Sequence, residues 1–499
     1  MHRLFQKAIF KNTISGTEFF QNWFSKKSSA PLWTRALLVA PVVMAFMLFP
    51  CSRAEMGKPS HDISSDEAVN YLCDYIKVNT TNPPGNERLG AEFLADILRK
   101  NGIEPTLYDT DKNRACVYAR LKGNDKKRPI LLLNHIDVVP ARSEDWDQAP
   151  FDGKVIDGEI WGRGAIDMKG MAIAELVSLL ALKRSAHLLD RDVIFLGTPD
   201  EEAGGTHGAQ WFTQHHPELC KDAEYVINEG YFIETADDGK VKDWGVDISE
   251  KSVLWLKLTA RGDAGHASMP MPDSAPNKLV RALARVVNAP PAPSIMPAVQ
   301  EYFSQVSSTE AEPLRTYYRD IGKAVSDSAS YAALLKDKLR SSMLRNTVSL
   351  TVIKAGYKTN VIPAEATAEL DCRLLPGTDR DRFIAEIKDK IADPQIDVQI
   401  LDWVRAEASA YNTELFDVIR AVAKLEQPGV AVVPVVVPWF TDSHCFRELG
   451  STAYGFMPFR IDAVHLATMH GKNERIQVAN FKDGVRILHE VIAKISGAR

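Results

Sequence analysis

The first half of the chain contains two patterns of apolar residues, short continuous runs and residues at helical spacing. Short, β-branched apolar runs predict strands at residues 115–121, 130–134, 193–198 and 225–228. Elsewhere apolar residues recur at helical spacing, which predicts helices at residues 65–77, 89–101 and 170–184. Buried strands that alternate with helices are typical of an α/β fold whose sheet is covered on both faces.

A different order of elements begins near residue 251. The pattern predicts a strand, a helix, two strands, a helix and a strand, at residues 251–261, 277–287, 347–355, 364–374, 380–391 and 396–403. This β-α-β-β-α-β order is the signature of a ferredoxin-like α+β domain. Residues 290–345 interrupt it as a predicted helical insertion, proline-rich at first and then charged.

The α/β pattern resumes after residue 404, and its elements are a helix, a strand and a helix at residues 413–424, 430–437 and 481–495. The smaller domain therefore interrupts the larger one. We predict a larger domain made of residues 55–249 and 405–499, with an inserted domain at residues 250–404. A length of 499 residues suits two such cores.

The first 54 residues have the features of a signal peptide. Basic residues precede an apolar run at residues 36–50, and the small residues Ser52 and Ala54 have the spacing of a signal-peptidase cleavage site. Pro41 interrupts the run, which is shorter than the roughly 20 residues that cross a bilayer. We therefore expect an exported protein, periplasmic or secreted, without a stable membrane span. A lipid anchor on Cys51 is the alternative.

Composition narrows the class of protein. The chain is 45% hydrophobic and 25% charged, as globular proteins are. Its net charge is −5, and no basic stripe follows the first 60 residues, so nucleic acid is not an expected partner. The six cysteines lack metal-binding spacing, which argues against thiol chemistry.

Two motifs in the first half present metal-ligand side chains. The strand at residues 130–134 runs into His135-Ile136-Asp137, where Asp137 can accept the second ring N–H of His135 and set its tautomer. A glycine-rich loop at residues 162–170 then presents Asp167 before a helix. Taken singly, the first motif also fits a surface pair and the second a helix cap.

Further acids and an imidazole follow other apolar runs. Glu201 and Glu202 come just after the strand at residues 193–198, where one carboxylate can bind a metal while its neighbour stays free as a base. Glu229 follows the next strand, and His470 lies near the end of the chain. A run of acids is also typical of a solvated turn. Together the histidines and carboxylates suit Zn²⁺, or Mn²⁺ or Co²⁺, and five ligands indicate a bridged pair of ions.

The order of these motifs, with the β-α-β-β-α-β insertion before the last one, resembles a known family. It is the dizinc metallopeptidase family of aminoacylase, succinyl-diaminopimelate desuccinylase, glutamate carboxypeptidase and carboxypeptidase S. The longest similar stretch is residues 146–170. The endings at residues 470–474 and the loop at residues 82–85 look most similar to the carboxypeptidase S and N-fatty-acyl-amino-acid hydrolase branch.

The resemblance implies a ligand set in which Asp167 is shared by two zinc ions. His135 and Glu229 would complete one site, and Glu202 and His470 the other. His465 competes for the last position, but only His470 is followed by the family's Asn-Glu pair.

The resemblance also implies catalytic residues. Glu201 would be the general base, Asp137 would support His135, and the Asp167-Met168 peptide bond would be cis. The mixed-sheet catalytic domain would carry these groups, and the inserted domain would act as a lid and dimerisation domain.

The inserted domain would read the substrate. In the family the equivalent of His266 reaches the reacting carbonyl, often from a partner subunit, and Asn360 and Arg373 match the substrate-carboxylate elements. Without the resemblance, His266 is a loop histidine and Arg373 a surface charge. Where the family has the segment Thr-Asp-Ser-Arg, this chain has histidine, His444, in place of the arginine. The role of His444 is therefore open.

We therefore expect a dizinc hydrolase that uses a metal-bridged hydroxide to cleave an amide next to a free-carboxylate amino acid. Its partners would be a peptide or N-acyl amino acid substrate and, through the inserted domain, a second subunit. An aminopeptidase or dipeptidase of the same family is the first alternative, and a non-catalytic metal-dependent binding protein is the second.

Overall fold

The computed structural model describes residues 65–186, 188–236 and 238–498. The strands, in chain order, are β1 (Thr106–Asp111), β2 (Arg114–Leu121), β3 (Ile130–His135), β4 (Lys154–Ile156), β5 (Glu159–Trp161), β6 (Val193–Thr198), β7 (Tyr225–Thr235), β8 (Val241–Glu250), β9 (Ser252–Arg261), β10 (Gly265–His266), β11 (Thr347–Ala355), β12 (Val361–Ile362), β13 (Glu365–Leu374), β14 (Asp397–Val404), β15 (Ala431–Val437), β16 (Thr452–Ile461) and β17 (Arg475–Gln477).

The helices, in chain order, are α1 (Ser65–Lys77), α2 (Arg88–Lys100), α3 (Lys169–Ser185), α4 (Ala209–His215), α5 (Ala275–Asn288), α6 (Pro297–Val306), α7 (Leu314–Arg319), α8 (Ile321–Ser326), α9 (Ser328–Leu334), α10 (Lys338–Ser342), α11 (Arg380–Ile391), α12 (Glu414–Glu426), α13 (Ser443–Glu448), α14 (Ala463–Leu466) and α15 (Val478–Ile495).

A mixed sheet of eight strands forms the larger core. Its order is β1-β2-β6-β3-β7-β16-β8-β15. Strands β6, β3, β7 and β16 pair in parallel, so their carboxyl ends meet at one edge. This arrangement brings residues from distant parts of the chain to that edge.

Helices cover both faces of this sheet. Alternate residues of β3 face opposite sides: Ile130 and Leu132 pack in the cluster that contains α3 and α15, whereas Leu131 and Leu133 pack in the cluster that contains α4. Because both faces are covered, all six residues of β3 are buried. The prediction of an α/β sheet with helices on both faces is confirmed.

A smaller antiparallel sheet has the order β11-β13-β9-β14. Leu254, Leu256 and Leu258 of β9 point into one core, where they pack with residues of α5 and α11. Trp255, on the opposite face, is 43% exposed. The elements follow the predicted β-α-β-β-α-β order in the chain, and the role of this sheet as a lid or dimerisation domain stays a prediction.

The helical segment α6–α10 packs on the larger core. Val299, Tyr302 and Phe303 of α6 belong to the same apolar cluster as β15 and α12. The Lys251 ammonium ties the end of this segment to the start of β9, since it donates to the carbonyls of Ser342 and Arg345 at 3.0 and 2.8 Å. The predicted insertion is thus helical.

One strand boundary was wrong. We predicted that Glu229 follows a strand ending at residue 228, but β7 continues to Thr235. In the β16–β7 ladder, Gly455 pairs with Asn228 and Phe456 with Tyr231, so Glu229 and Gly230 form a bulge. A Cβ on Gly230 would lie 2.6 Å from the Gly455 Cα, which explains the glycine there.

The predicted signal peptide, residues 1–54, and Cys51 lie outside the described residues. Within the described part of the chain, none of the helices has the length and apolar character needed to cross a membrane.

Candidate metal centre and active site

The candidate site lies at the edge where the parallel strands end. His135 is the last residue of β3, Glu201 and Glu202 follow β6 within four residues, and Glu229 lies in the bulge of β7. Asp167 lies two residues before Lys169, where α3 begins. Neighbouring parallel strands therefore bring these side chains together, as α/β sheets do at their ligand-binding edge.

Two clusters of side chains share Asp167. His135, Asp167 and Glu229 form one, and Asp167, Glu202 and His470 form the other, with ligand atoms within 4.8 Å of one another. His135 Nε2 lies 3.1 Å from Asp167 Oδ1, and His470 Nε2 lies 3.0 Å from Asp167 Oδ2.

The remaining contacts complete each cluster. Glu229 Oε1 lies 3.6 Å from His135 Nε2, and Glu202 Oε2 lies 3.2 Å from His470 Nε2. These are the five residues that the resemblance implied as ligands, and their binding of metal stays a prediction. The cis peptide bond expected at Asp167-Met168 is present.

The buried carboxylates of the clusters shift the pKa values of their neighbours. Burial raises the pKa of Glu229 to about 7. Burial alone would lower the pKa of His135, but Glu229, Asp137 and Asp167 outweigh it and hold that pKa well above its ordinary value. Hydrogen bonds to Asp167 and Glu202 raise the pKa of His470 to about 10. The carboxylates thus attract positive charge to both imidazoles.

The donor set fits two divalent cations. It contains only imidazole nitrogens and carboxylate oxygens, the ligands of Zn²⁺, Mn²⁺ and Co²⁺ in such sites. Glu202 Oε1 is buried without a hydrogen-bond partner, which leaves a ligand atom available next to the shared Asp167. A buried oxygen of this kind needs a partner, and a cation would supply one.

Glu201 differs from its neighbour Glu202. Within the described residues, no hydrogen bond engages its carboxylate, although Glu201 is only 9% exposed. Burial and the nearby Glu229 raise the pKa of Glu201 well above its ordinary value. A carboxyl group with a raised pKa beside a cation site suits proton transfer.

Asp137 acts differently from our prediction. The ring of His135 is held by the backbone carbonyl of Asp137, 2.9 Å from Nδ1, whereas the nearer carboxylate oxygen lies 3.6 Å away. The carboxylate instead accepts the backbone N–H groups of Glu201 and Glu202 at 3.1 and 3.0 Å. The chain leaves β3 at His135, so strand alternation does not extend to Asp137. Its carboxylate supports the turn with the two glutamates.

Glu474 holds the loop that presents Asp167. Its carboxylate accepts the backbone N–H groups of Gly164, Ile166 and Asp167 at 3.0, 2.8 and 3.0 Å, and the Arg163 guanidinium at 2.7 Å. Glu474 is fully buried. We used the Asn-Glu pair after His470 to select that histidine, but sequence reasoning gave Glu474 no role.

His465 lies in different surroundings. Its Nδ1 is 2.8 Å from an Asp462 oxygen and its Nε2 is 3.2 Å from a Glu159 oxygen. The structure therefore brings His470, not His465, to Asp167 and Glu202.

His266, predicted to be catalytic, and Asn360, predicted to bind substrate, lie close together in the structure. The short strands β10 and β12 pair His266 with Val361, and the Ala267 N–H donates to the Asn360 carbonyl at 3.2 Å. The Ser268 N–H donates to His266 Nδ1 at 3.2 Å, so the proton of a neutral His266 is on Nε2. His266 is exposed and can present this N–H to a ligand.

Arg373 is engaged elsewhere. Its Nε and Nη2 donate to the two oxygens of Asp371 at 2.8 and 3.1 Å. Among the residues that the structure describes, no hydrogen bond or ion pair connects Arg373, Asn360 or His266 to the Asp167 clusters.

One cavity opens at the site, and a second lies at His444. A cleft of about 750 Å³ opens at His470 and is lined by Pro140, Ala141, Arg142, Glu144, Asp145, Trp146, Asp147, Arg163, Gly471 and Lys472. A smaller cavity, about 310 Å³, is lined by His444, Arg405, Glu407, Arg447 and Glu448. His444 Nδ1 lies 2.9 Å from the Thr441 carbonyl, which fixes its ring at the wall of this cavity.

Comparisons with known proteins agree with this geometry. Residues 131–494 match Peptidase family M20/M25/M40. A probable carboxypeptidase S-like 2 from Dictyostelium discoideum is 29% identical over 391 residues, which cover 76% of this chain and 74% of the relative. An N-fatty-acyl-amino acid synthase/hydrolase from Bos taurus is 30% identical, over 86% of this chain and 87% of the relative.

Solved structures show the same fold. An M20 family metallo-carboxypeptidase from Sulfolobus solfataricus superposes with a TM-score of 0.64 at 19% identity, over 86% of this chain and 98% of that one. A dinuclear metal binding peptidase of the M20 family from Bacillus subtilis gives a TM-score of 0.55 at 13% identity, over 87% and 99%. The family match spans more than half of the chain and includes every residue of the two clusters, so this protein belongs to the M20/M25/M40 family of metallopeptidases and is a hydrolase.

Proposed function

We propose that the protein hydrolyses an amide bond next to an amino acid with a free carboxylate, as a carboxypeptidase or an N-acyl-amino-acid hydrolase that contains two zinc ions. The observation that carries the proposal is the pair of clusters that share Asp167, with the free carboxylate of Glu201 beside them. A relative named as carboxypeptidase S-like and one named as an N-fatty-acyl-amino acid synthase/hydrolase support an amino acid with a free carboxylate as the released product.

Five side chains would hold the ions. His135 and Glu229 would bind one, Glu202 and His470 the other, and Asp167 both. When bound, the ions supply Lewis acidity, which lowers the pKa of a water molecule and polarises a carbonyl group.

Glu201 would move the proton. It would accept a proton from the attacking water at a carboxylate oxygen and return it to the leaving nitrogen. Its burial favours the protonated form once the proton has arrived, and Asp137 keeps its backbone in place. His266 Nε2–H would donate to the oxygen on which negative charge develops.

The substrate carboxylate would be held by the small-sheet residues Arg373 and Asn360. A guanidinium pairs with a carboxylate through two parallel hydrogen bonds. The Asp371 carboxylate already occupies that geometry, so the substrate would share or displace it. This exchange requires the small sheet, as a lid domain, to approach the clusters when substrate binds.

The charged cleft at His470 would take the other half of the substrate. Arg142, Glu144, Asp145 and Lys472 line it, and burying a long hydrocarbon chain against charges is unfavourable. We therefore expect a peptide or a short, polar acyl group there in preference to a long fatty acyl chain.

A substrate panel tests the function. It contains N-acetyl and N-oleoyl amino acids, blocked dipeptides, their carboxamides and free dipeptides, each incubated with the zinc-loaded protein. We expect hydrolysis of the acids, little hydrolysis of the carboxamides, and faster release from N-acetyl than from N-oleoyl substrates. Cleavage of free dipeptides alone would instead identify a dipeptidase.

We also propose export and dimerisation. The support for export is the basic and apolar pattern of the first 54 residues, and the support for a dimer is the exposed His266, which makes no described contact with the clusters. Mass measurement of the mature amino terminus tests the first. A chain that keeps residues 1–54 in the cytosol would exclude export.

A further inference from the structure

We propose that Arg114 is a remote positioning residue for the reaction. Together with Asn82 it holds Asp137 and Asp200, the two carboxylates that fix the backbone of the turn with Glu201 and Glu202. The inference rests on the proposed function for the roles of the two glutamates, but the contacts themselves are independent of it.

The turn is held from both sides by carboxylates. Asp137 accepts the N–H groups of Glu201 and Glu202. Asp200 has a left-handed backbone conformation, with a φ of 73°, and its Oδ2 accepts the His207 N–H at 3.0 Å. Left-handed backbone is costly for a residue with a side chain and needs such support. The position of Glu201 thus depends on where these two carboxylates lie.

Asn82 connects the two carboxylates. Its Nδ2 donates to Asp137 Oδ2 at 2.9 Å and to Asp200 Oδ1 at 3.2 Å. Its Oδ1 accepts a hydrogen bond from Arg114 Nη2 at 3.0 Å, while Arg114 Nη1 donates to Asp200. One guanidinium therefore engages both the amide and the carboxylate, in the planar geometry that arginine provides.

The loop that carries Asn82 is shaped to seat the guanidinium. The Asn82 N–H donates to the Val138 carbonyl at 3.0 Å, so the loop runs beside the residues that follow β3. At Gly85, where φ is 89°, a Cβ would lie 2.5 Å from Arg114 Nη2. The glycine leaves the space that the guanidinium fills.

Asn82, Arg114, Asp137 and Asp200 form a hydrogen-bond network, and this network also needs the positive charge of Arg114. Asp137, Asp200 and Glu87 are all buried, with exposed fractions of 0%, 3% and 0%. In the described part of the chain, Arg114 is the cation that pairs with Asp200 and with Glu87, the latter at 3.4 Å. Removing one member of a buried ion pair leaves an uncompensated charge, and the surrounding structure moves or takes up a proton.

The expected effect is on kcat. The hydrogen bonds of Arg114 go to Asp200 and Asn82, and Arg114 does not line the cleft at His470, so substrate affinity should persist. A displacement of about 1 Å in a catalytic group costs ~10²-fold in rate. Arg114→Gln should therefore lower kcat by ~10²-fold and leave KM within about twofold. Arg114→Lys keeps the positive charge but loses the planar set of N–H donors, so its kcat should lie between those of wild type and Arg114→Gln.

The matched control is Arg120→Gln. Arg120 lies on the same strand, β2, and also pairs with a buried carboxylate, Asp192, at 2.6 Å, but it contacts none of the network. We expect wild-type kcat for this variant. Asn82→Ala, which removes the bridge and keeps the charge, is a second variant in case Arg114→Gln folds poorly.

Hydrogen exchange supplies a readout that needs no catalysis. In the metal-free full chain, Arg114→Gln and Asn82→Ala should speed amide exchange in residues 199–208, relative to wild type and Arg120→Gln. Glu202 lies on the same turn, so kcat is measured with excess Zn²⁺ and the metal content is verified; a loss of kcat at full metal content assigns the effect to Glu201. If the wild type hydrolyses nothing in the panel, the proposed function fails, and the exchange result still tests the network.

Two results would overturn the inference. One is wild-type kcat in Arg114→Gln with unchanged exchange in residues 199–208. The other is faster exchange spread evenly over the chain, equal to that of Arg120→Gln, which would make Arg114 a general stability residue.

Discussion

Glu474 Oε1 accepts the backbone N–H of Asp167 at 3.0 Å, which joins the last motif of the chain to the loop that carries the shared ligand. The same carboxylate accepts two more N–H groups of that loop and the Arg163 guanidinium. The conformation of the Asp167 loop therefore depends on one buried carboxylate next to His470.

Glu474→Gln should lower metal affinity. An amide preserves the shape but replaces one acceptor by a donor, which then faces N–H groups. Loss of a residue that orients a ligand typically costs 10–100-fold in metal affinity, and we expect a fall of about this size by competition with a chelator. Glu159→Gln, which alters an ion pair with Arg475 outside the clusters, should bind metal normally. Equal affinities in both variants would contradict the role of Glu474.

Removal of metal should abolish activity and lower thermal stability. Without cations, the carboxylates of Asp167, Glu202 and Glu229 lie close together with only two imidazoles beside them. Burial disfavours the charged forms of Glu202 and Glu229. Zn²⁺, Co²⁺ or Mn²⁺ should restore both properties, because an ion that binds the folded state stabilises it. Full activity in a sample verified as metal-free by elemental analysis would exclude the mechanism.

Glu201→Gln and Glu202→Gln should fail in different ways. The first removes a proton acceptor that no described hydrogen bond engages, so metal should stay while kcat falls by ~10²–10⁴-fold. The second removes a residue of the Asp167–His470 cluster, so the stoichiometry should fall toward one ion per chain. Metal analysis with single-turnover kinetics separates them. If Glu201→Gln loses the ion instead, the two roles are exchanged.

The sequence predicted those features that depend on a single strand or helix. Strands β3 and β6 are apolar runs buried on both faces, and the polar residues at their ends lie where such strands bind ligands. Helix α3 was predicted within one residue at each end. These features depend on local pattern, which the residues themselves carry.

Relations between distant elements were not accessible in this way. The bulge at Glu229 depends on pairing with β16, more than 200 residues later, and we predicted no strand there. The carboxylate of Asp137 contacts the Glu201 N–H because β3 ends at His135, so strand alternation does not extend to Asp137. Likewise, no sequence pattern indicated that Arg114 pairs with Asp200, since this ion pair depends on the space that Gly85 leaves for the guanidinium.

Arg373→Ala should chiefly change substrate preference. If the guanidinium binds the substrate carboxylate, its loss should raise KM for N-acyl amino acids and leave the carboxamides unaffected. Asp371→Asn releases Arg373 from its internal partner and should lower KM for the same acids. The two variants, assayed with acid and amide pairs, give opposite results only if Arg373 contacts the substrate. Parallel changes for acids and amides would place its effect in the small-sheet core.

The last prediction concerns which subunit supplies His266. The histidine is exposed, its Nδ1 accepts from Ser268, and its Nε2–H does not contact the Asp167 clusters within the described residues. Either a second subunit or a movement of the small sheet must therefore bring it to the reacting carbonyl. In a dimer formed by the small sheets, the His266 of one chain would act beside the Glu201 of the other.

Glu201→Gln and His266→Ala should each be nearly inactive, the latter through a kcat lowered by ~10²–10³-fold. After subunit exchange, a mixed dimer would contain one site with both groups intact, and an equal mixture should regain up to about a quarter of wild-type activity, because half of the dimers are mixed and each has one such site. Native mass spectrometry of isotope-labelled chains verifies the exchange. Proven exchange without regained activity would assign His266 to its own chain, where closure of the small sheet over the clusters would have to deliver it.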